Sequence, residues 1–447
     1  MSALRQAAPG HSPARARPAG GDPAGAAELP GRSARGGRFG GLLLAAGLLL
    51  IGLNLRIGVA SVGPVLDDIR ASLGLSATAA SLLTTIPVIA FGAFAFLTPA
   101  LTRRFGMHRL LGATMIALAA GIVLRLHPSM SALFAGTVVV GAAIAIGNVV
   151  MPAAIKRDFS HRAGLMMGLY STALFVGAAL ASGLTVPLLP LAGGVWQAAL
   201  ALWAIPAVAA VLLWIPQLRR SSGRVARARS ADGSGGRGGQ GAPALRAILR
   251  DPVALAVTAL MGLQSMSYYA ALTWVPSILS SAGMGADEAG WMLSFSAFPG
   301  IAASLVTPAL ARRARPAWLP IVLAVGVSGV AFAGLALAPT AAPYVWMTLL
   351  GLGQGAAISL ALSYIVWRSP DAHHTGQVST MAQGFGYLLA GLGPIGLGAL
   401  RSATGGWTVP IAALGVMLVA QLIAGVAASR PRLVGARGQD ATVSADA

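Results

Sequence analysis

One cationic group stands where a cation is costly. Arg56 lies in Gly52-Leu53-Asn54-Leu55-Arg56-Ile57-Gly58, around the middle of an apolar run over 41–64. An arginine at the centre of a membrane helix costs about 2.5–3.5 kcal/mol on insertion scales. It cannot shed its proton to escape that cost. A carbonyl, a water-filled cavity or an anion must compensate. The 12 acidic residues and six histidines all fall in tails, loops or the edges of apolar runs. With no buried acid to pair with, an anionic or electron-rich solute is the leading partner for Arg56. The plainer reading is that Arg56 bonds backbone carbonyls and fixes the packing of helices.

Other polar side chains recur in the middle of apolar runs: Asn54, Asn148, Gln264, Tyr268, Tyr269, Gln354, Gln383 and Tyr387. Gln264 and Tyr268 are spaced i, i+4, as are Gln383 and Tyr387, so each pair shares a helix face. Amides and phenols orient small polar solutes well. The candidate solute pocket is Arg56, Asn54, Asn148, Gln264, Tyr268, Gln383 and Tyr387. Any one of these also serves as interhelical glue; the cluster is what favours a site. The usual intramembrane proton relay, a buried Asp, Glu or His, has no clear representative, with Asp67 and Asp68 the nearest. No nucleophile, acid or metal ligands converge within the apolar runs, so no catalytic residue, metal or cofactor is expected and an enzyme is disfavoured. The absence of Cys excludes disulfides, thiolate zinc sites and iron–sulfur clusters. Gly351-Leu352-Gly353-Gln354-Gly355 resembles a phosphate-binding loop only superficially. It lacks the following Lys-Ser/Thr and reads as close helix packing.

These side chains need long apolar elements to carry them. The chain is 56% hydrophobic and 10% charged, against about 25% charged in soluble domains. Spans of about 20 apolar residues cross a bilayer core, and twelve are predicted: 41–64, 78–101, 109–126, 131–153, 164–188, 196–215, 252–279, 289–310, 318–337, 343–366, 376–399 and 407–428. The fold class is an all-α polytopic membrane protein. Basic residues orient it. With the N-terminus in the cytoplasm, 27 of the 31 basic residues face the cytoplasm, and Arg70, Arg125 and Arg401 lie outside near span ends. That asymmetry accounts for the net charge of +19 without a nucleic-acid partner. Both termini are expected in the cytoplasm.

Residues 1–38 read as a disordered basic tail, rich in Ala, Pro, Gly and Arg. A six-span bundle over 39–216, an Arg/Gly-rich cytoplasmic linker over 217–250, a second six-span bundle over 251–428 and a polar tail over 429–447 complete the chain. The halves resemble each other. Leu97-Thr98-Pro99-Ala100-Leu101-Thr102-Arg103-Arg104 matches Val306-Thr307-Pro308-Ala309-Leu310-Ala311-Arg312-Arg313. At similar offsets Asn54 faces Gln264, Lys156-Arg157 faces Trp367-Arg368, and Trp196 faces Trp407. Two duplicated bundles around a midplane site form an architecture of secondary transporters.

The chain also resembles a known family. Gly52-Leu53-Asn54-Leu55-Arg56 is followed by Ser61-Val62-Gly63-Pro64-Val65-Leu66, then Leu83-Thr84-Thr85-Ile86-Pro87-Val88 and Met151-Pro152-Ala153-Ala154-Ile155-Lys156-Arg157. Gly168-Leu169-Tyr170-Ser171 opens the fifth span. Tyr268, Tyr269, Trp274 and Pro276 fit the seventh, and Gln383-Gly384-Phe385-Gly386-Tyr387 with Gly391-Leu392-Gly393-Pro394 the eleventh. Over about residues 40–428 these stretches are similar to the major facilitator superfamily, and within it to the cyanate and 2-nitroimidazole transporters. The family usually has Pro where this chain has Ile57. The superfamily's loop between spans 2 and 3 carries an Asp before its basic pair, whereas Thr102-Arg103-Arg104 has none. The resemblance implies twelve helices in two six-helix bundles, alternating access, and a cyanate-like anion or nitroimidazole-like heterocycle as substrate. A multidrug exporter of the same superfamily is the alternative. The expected partners are a small-molecule substrate and the lipid bilayer of the inner (plasma) membrane. Oligomeric state is left open, with a monomer sufficient.

Overall fold

The structure, a computed structural model, describes residues 32–231 and 248–435; the first 31 residues, 232–247 and 436–447 lie outside the described residues. All regular structure among the described residues is helical. In the first half α1 is Arg32–Ala60, α2 Leu66–Leu73, α3 Ala77–Ala95, α4 Thr98–Phe105, α5 Met107–Leu124, α6 Met130–Asp158, α7 Ala163–Leu188, α8 Trp196–Leu202 and α9 Ala204–Ala231. In the second half α10 is Pro252–Ser281, α11 Ala286–Phe295, α12 Ala297–Arg313, α13 Leu319–Leu337, α14 Pro343–Trp367, α15 Ala372–Thr404 and α16 Thr408–Ser429. Residues 43–447 form one compact unit.

These segments form helices because no water competes for their backbone groups in hydrocarbon. Their ends follow local chemistry. Ser76, Ser129, Asp251 and Asp371 act as N-caps, each accepting a backbone N–H from the first turn. Gly74 and Gly405 close α2 and α15 in the left-handed conformation. Among the described residues, ten stretches are long and apolar enough to cross a membrane. The pair α3/α4, bent by 59° at Phe96-Leu97, makes an eleventh. The twelfth is α15, whose 33 residues are diluted by polar groups such as Gln383 and Tyr387. Those groups are buried, so this helix turns its polar side inward. The molecule is a multi-pass membrane protein of twelve spans.

Two sequence boundaries shift. Residues 32–38, read as tail, extend α1, and residues 217–231, read as linker, extend α9. Arg and Ala favour helix in both segments, against Gly36 and Gly37 in the first, and helix runs past the apolar stretch. The remainder of both segments lies outside the described residues. The internal repeat is visible but not exact. The break at Phe96-Leu97 precedes Thr98-Pro99, whereas Thr307-Pro308 lies inside α12, and the second half breaks earlier, at Ser296.

Apolar side chains point outward all around the bundle. Leu212, Val416, Ile395 and Ile423 are each more than 60% exposed, a pattern suited to lipid and hazardous in water. Inside, glycines let helix backbones meet. A Cβ at Gly355 would collide with the backbone of Gly300, one at Gly351 with the carbonyl of Ser296, and one at Gly353 with Ser328 Oγ. The glycine-rich stretch of α14 is therefore a packing seam, as read from the sequence, and not a phosphate loop. Gly355→Ala is expected to destabilise the fold by about 1–3 kcal/mol through overpacking. Gly415→Ala, with nothing within 4 Å of the added carbon, is expected to leave stability unchanged. Thermal midpoints of the two purified variants, read by fluorescence-detected size exclusion, check this; equal midpoints would refute the seam.

Candidate functional site

Arg56 projects from α1 toward the second half of the chain. Its Nη1 donates to Tyr269 Oη on α10 at 3.2 Å. Tyr268 and Tyr387 also lie within electrostatic reach of the guanidinium, as does Tyr170 on α7. Four of the chain's six tyrosines therefore gather around one cation. Aromatic edges lock them in place. Tyr268 meets Tyr269 at 5.4 Å between centroids and Phe175 at 6.3 Å, both near perpendicular. Tyr387 meets Phe91 at 5.3 Å. A space of about 10 Å³ beside Arg56 is bounded by Leu174, Phe175, Ala178, Tyr268 and Ile358. That volume holds about one water, so a larger solute must displace side chains.

Among the described residues no carboxylate pairs with Arg56. The acids that form ion pairs do so at the face bearing the arginine-rich loops: His108 with Asp158 at 3.3 Å, Arg157 with Asp158 at 3.7 Å, and His374 with Asp371 at 2.8 Å. Asp371 caps α15. Burial pushes its carboxyl up, but hydrogen bonds from the backbone and ring of His374 outweigh this and hold it below the ordinary carboxylate value. Asp68 is exposed, and nothing is described of the Asp67 side chain. Among the described residues no group of His, Cys, Asp or Glu could hold a metal ion.

The other polar side chains expected in the pocket divide. Tyr268 and Tyr387 stand beside Arg56. Asn148 and Gln383 form a layer toward the basic face: Tyr170 Oη donates to Asn148 Oδ1 at 3.0 Å, and Gln383 Nε2 donates to the Asn148 carbonyl and to Ser379 Oγ, both at 2.8 Å. Asn54 turns away. Its Nδ2 donates to the carbonyls of Leu50 and Pro206, tying α1 to α9. Gln264 is fully buried and accepts from Ser265 Oγ at 3.4 Å. The structure thus places Tyr268 and Tyr387 beside Arg56, joins Asn148 and Gln383 in a separate bonded layer, and gives Asn54 a contact between α1 and α9.

Sequence reasoning left Tyr269, Tyr170, Phe175 and Phe91 out of the pocket. Tyr269 is the direct partner of Arg56, but the i, i+4 argument from Gln264 selects its neighbour. Arg125 stands at a span end, as its place in the sequence predicts, but its side chain turns inward. It is 1% exposed, and its Nη1 donates to the Gly58 carbonyl at 2.8 Å while Nε and Nη2 have no partner. Gly58 lies in the last turn of α1, where carbonyls lack helical partners and a cation is favoured. Gly136 makes room for the stem of Arg125.

The two halves touch closely on the basic face. Lys156 Nζ donates to the Val366 carbonyl at 3.3 Å. Gly164 packs against Arg312 and Trp367, Gly168 against the backbone of Leu305, and Thr172 Oγ1 lies 3.1 Å from Ser304 Oγ. Below the Asn148–Gln383 layer, a cleft of about 220 Å³ reaches that face between α4, the start of α5, α6 and α15.

Comparison with known proteins agrees with this architecture. The sequence profile described as Major Facilitator Superfamily matches residues 44–394. The chain is 36% identical over 397 residues to the 2-nitroimidazole transporter of Escherichia coli (strain K12), covering 88% of this chain and 96% of that protein. It is 32% identical over 361 residues to the cyanate transport protein CynX of the same organism, covering 80% and 90%. Among solved structures, the proton:xylose symporter XylE bound to 6-bromo-6-deoxy-D-glucose matches with a TM-score of 0.64 at 13% identity, covering 87% of this chain and 94% of that one. That likeness concerns the fold.

A guanidinium in this interior with no counter-charge among the described residues weakens the fold. Arg56→Met is therefore expected to raise the thermal midpoint of the purified protein, by an amount equivalent to about 1–3 kcal/mol. A lowered midpoint would mean that Arg56 is a structural pin.

Proposed function

The chain belongs to the major facilitator superfamily and is a membrane transporter rather than an enzyme, and we propose that it carries a small anionic or nitro-bearing solute past Arg56 by alternating access. The observation that carries this reading is the guanidinium among tyrosines with no acid paired to it among the described residues. A guanidinium offers a planar fork to two oxygens. Phenols add hydroxyl donors, and their ring faces suit a flat or linear delocalised solute. Cyanate-like anions and nitroimidazole-like heterocycles both meet these demands, and both substrate types are named for relatives.

The bundles at 39–216 and 251–428 would rock about the Arg56 layer, with 217–250 as the tether between them. Placing the basic face in the cytoplasm follows the distribution of arginine. Both termini then lie inside, and the membrane is the inner (plasma) membrane. In that orientation the described conformation is closed toward the cytoplasm. Since the space beside Arg56 holds little more than water, solute entry requires the tyrosines to part. Asn148, Gln383 and Gln264 are assigned to the lining of the path rather than to first contact with solute, and Asn54 to its scaffold.

Membrane voltage constrains direction. One charge moved through 100 mV is worth about 2.3 kcal/mol, so an inside-negative membrane excludes a monovalent anion by roughly fiftyfold. Uniport therefore exports an anion, or imports it only down a steep gradient or into a consuming reaction. A neutral heterocycle escapes this constraint. A multidrug exporter of large cations fits less well, because a cation 4 Å from Arg56 meets a repulsion of about 4 kcal/mol at an effective dielectric constant of 20.

The test is counterflow of labelled cyanate in proteoliposomes, wild type beside Arg56→Gln, with 2-nitroimidazole and a bulky cationic dye as competitors. Exchange in wild type that falls to background in Arg56→Gln, at equal reconstitution, is the expected result for an anion carrier. Flux of the heterocycle alone, again lost in the variant, assigns the nitro-bearing solute. Flux of the dye that survives in Arg56→Gln would overturn the proposal.

A further inference from the structure

The Arg56 layer and the cleft on the basic face are separated by little protein. On α15, Tyr387 faces Arg56 and Thr380 lines the cleft, and Gln383 stands one turn from each. On α6, Asn148 is followed directly by Val149 and Val150, which also line the cleft. Asn148 and Gln383 are 2% and 1% exposed. They meet across the two halves of the chain through the bond from Gln383 Nε2 to the Asn148 carbonyl. The Asn148 side chain is held from the other side by Tyr170, itself within reach of Arg56. Asn148 Nδ2 is buried without a partner, so this layer carries a donor that a passing anion or water would satisfy.

Beyond the layer the cleft is already formed. It is lined by Thr380, Gln377 and the buried Thr98, and by the exposed His373 and Arg103. Arg103 is exposed, and its charge favours anions at the mouth.

We propose that the Asn148–Gln383 contact is the inner barrier of the transport path, one residue layer thick, and that the cleft below it is a second station for the same anion, with Arg103 as its attracting group. The nature of the solute rests on the reading of Arg56; the barrier does not. Gln383 is thereby a positioning residue. It holds α15 against α6 while the opposite side is accessible, and rocking of the halves must break its bond to the Asn148 carbonyl. Because the acceptor is backbone, only the Gln383 side of the bond can be deleted by substitution.

The chain contains no cysteine, so single thiols report position without a background. Gln377→Cys marks the cleft, and Ala178→Cys marks the space beside Arg56. Reconstituted vesicles with the basic face outward are treated with an anionic, membrane-impermeant methanethiosulfonate. The expected result is labelling of Ala178→Cys about tenfold more slowly than Gln377→Cys, as for a site reached only through a minor open state. Adding Gln383→Ala should raise the Ala178→Cys rate at least about fivefold and leave the Gln377→Cys rate unchanged. Gln383→Met conserves volume and gives the same reading if the alanine variant folds poorly. Equal rates at the two positions in the parent chain would overturn the barrier. So would no response to either substitution. Arg103→Gln should slow labelling of Gln377→Cys by the anionic reagent about threefold, as expected for removal of one attracting charge near a surface, and leave the rate with a neutral maleimide unchanged. Equal effects on both reagents would remove the anion station. None of these rates requires a transported solute, so failure of the cyanate and nitroimidazole assays leaves the barrier test intact.

Discussion

A positive charge that cannot be neutralised sits within the apolar interior of this protein, and the surrounding structure is arranged around its incomplete compensation. Arg56 receives one phenolic hydroxyl as a direct partner and three more tyrosines within electrostatic reach. Tyrosine supplies dipoles without supplying a counter-charge. A carboxylate in the same position would neutralise the guanidinium, which four phenols cannot do. The aromatic edges among Tyr268, Tyr269, Phe175, Tyr387 and Phe91 keep those dipoles in place while leaving the charge available. A second set of polar contacts runs from Tyr170 through Asn148 to Gln383, and it joins the two halves.

Much of the architecture was legible in the amino-acid sequence because a bilayer demands a simple signal. Every predicted span meets a helix, and the boundaries move chiefly where good helix formers prolong α1 and α9. The kink in the second span and the break at Ser296 were less legible, since Pro and Gly are scattered through many apolar runs. The glycine seam of α14 could be read correctly because the alternative demanded a lysine that is absent.

The site was legible in part, and the failures share a cause. Arg56, Tyr268, Tyr387, Asn148 and Gln383 announced themselves as polar groups in apolar runs, and the fold sets the first three together and joins the last two in a separate bonded layer. Hydropathy marks that such a group is buried but not which helix it faces. Asn54 is two residues from Arg56 yet looks the opposite way, toward Pro206. Arg125 sits at a span end, where a long side chain usually reaches water, yet it bends inward to the carbonyl end of α1. Tyr269 lost to its neighbour because a straight helical stripe was assumed, whereas the reach of Arg56 lets an adjacent residue meet it. Such choices are made by contacts between distant segments, which single-helix periodicity does not record.

The contact from Lys156 to the Val366 carbonyl has a practical side. Lys156 is the chain's one lysine among 31 basic residues, and it lies where the halves meet on the basic face. Its amine is engaged when that face is shut and must be released when the face parts. Amine acylation therefore has a single side-chain address in this molecule, and its speed there would register the opening of the halves. The arginine bias of the sequence has left the protein with its own chemical stopwatch.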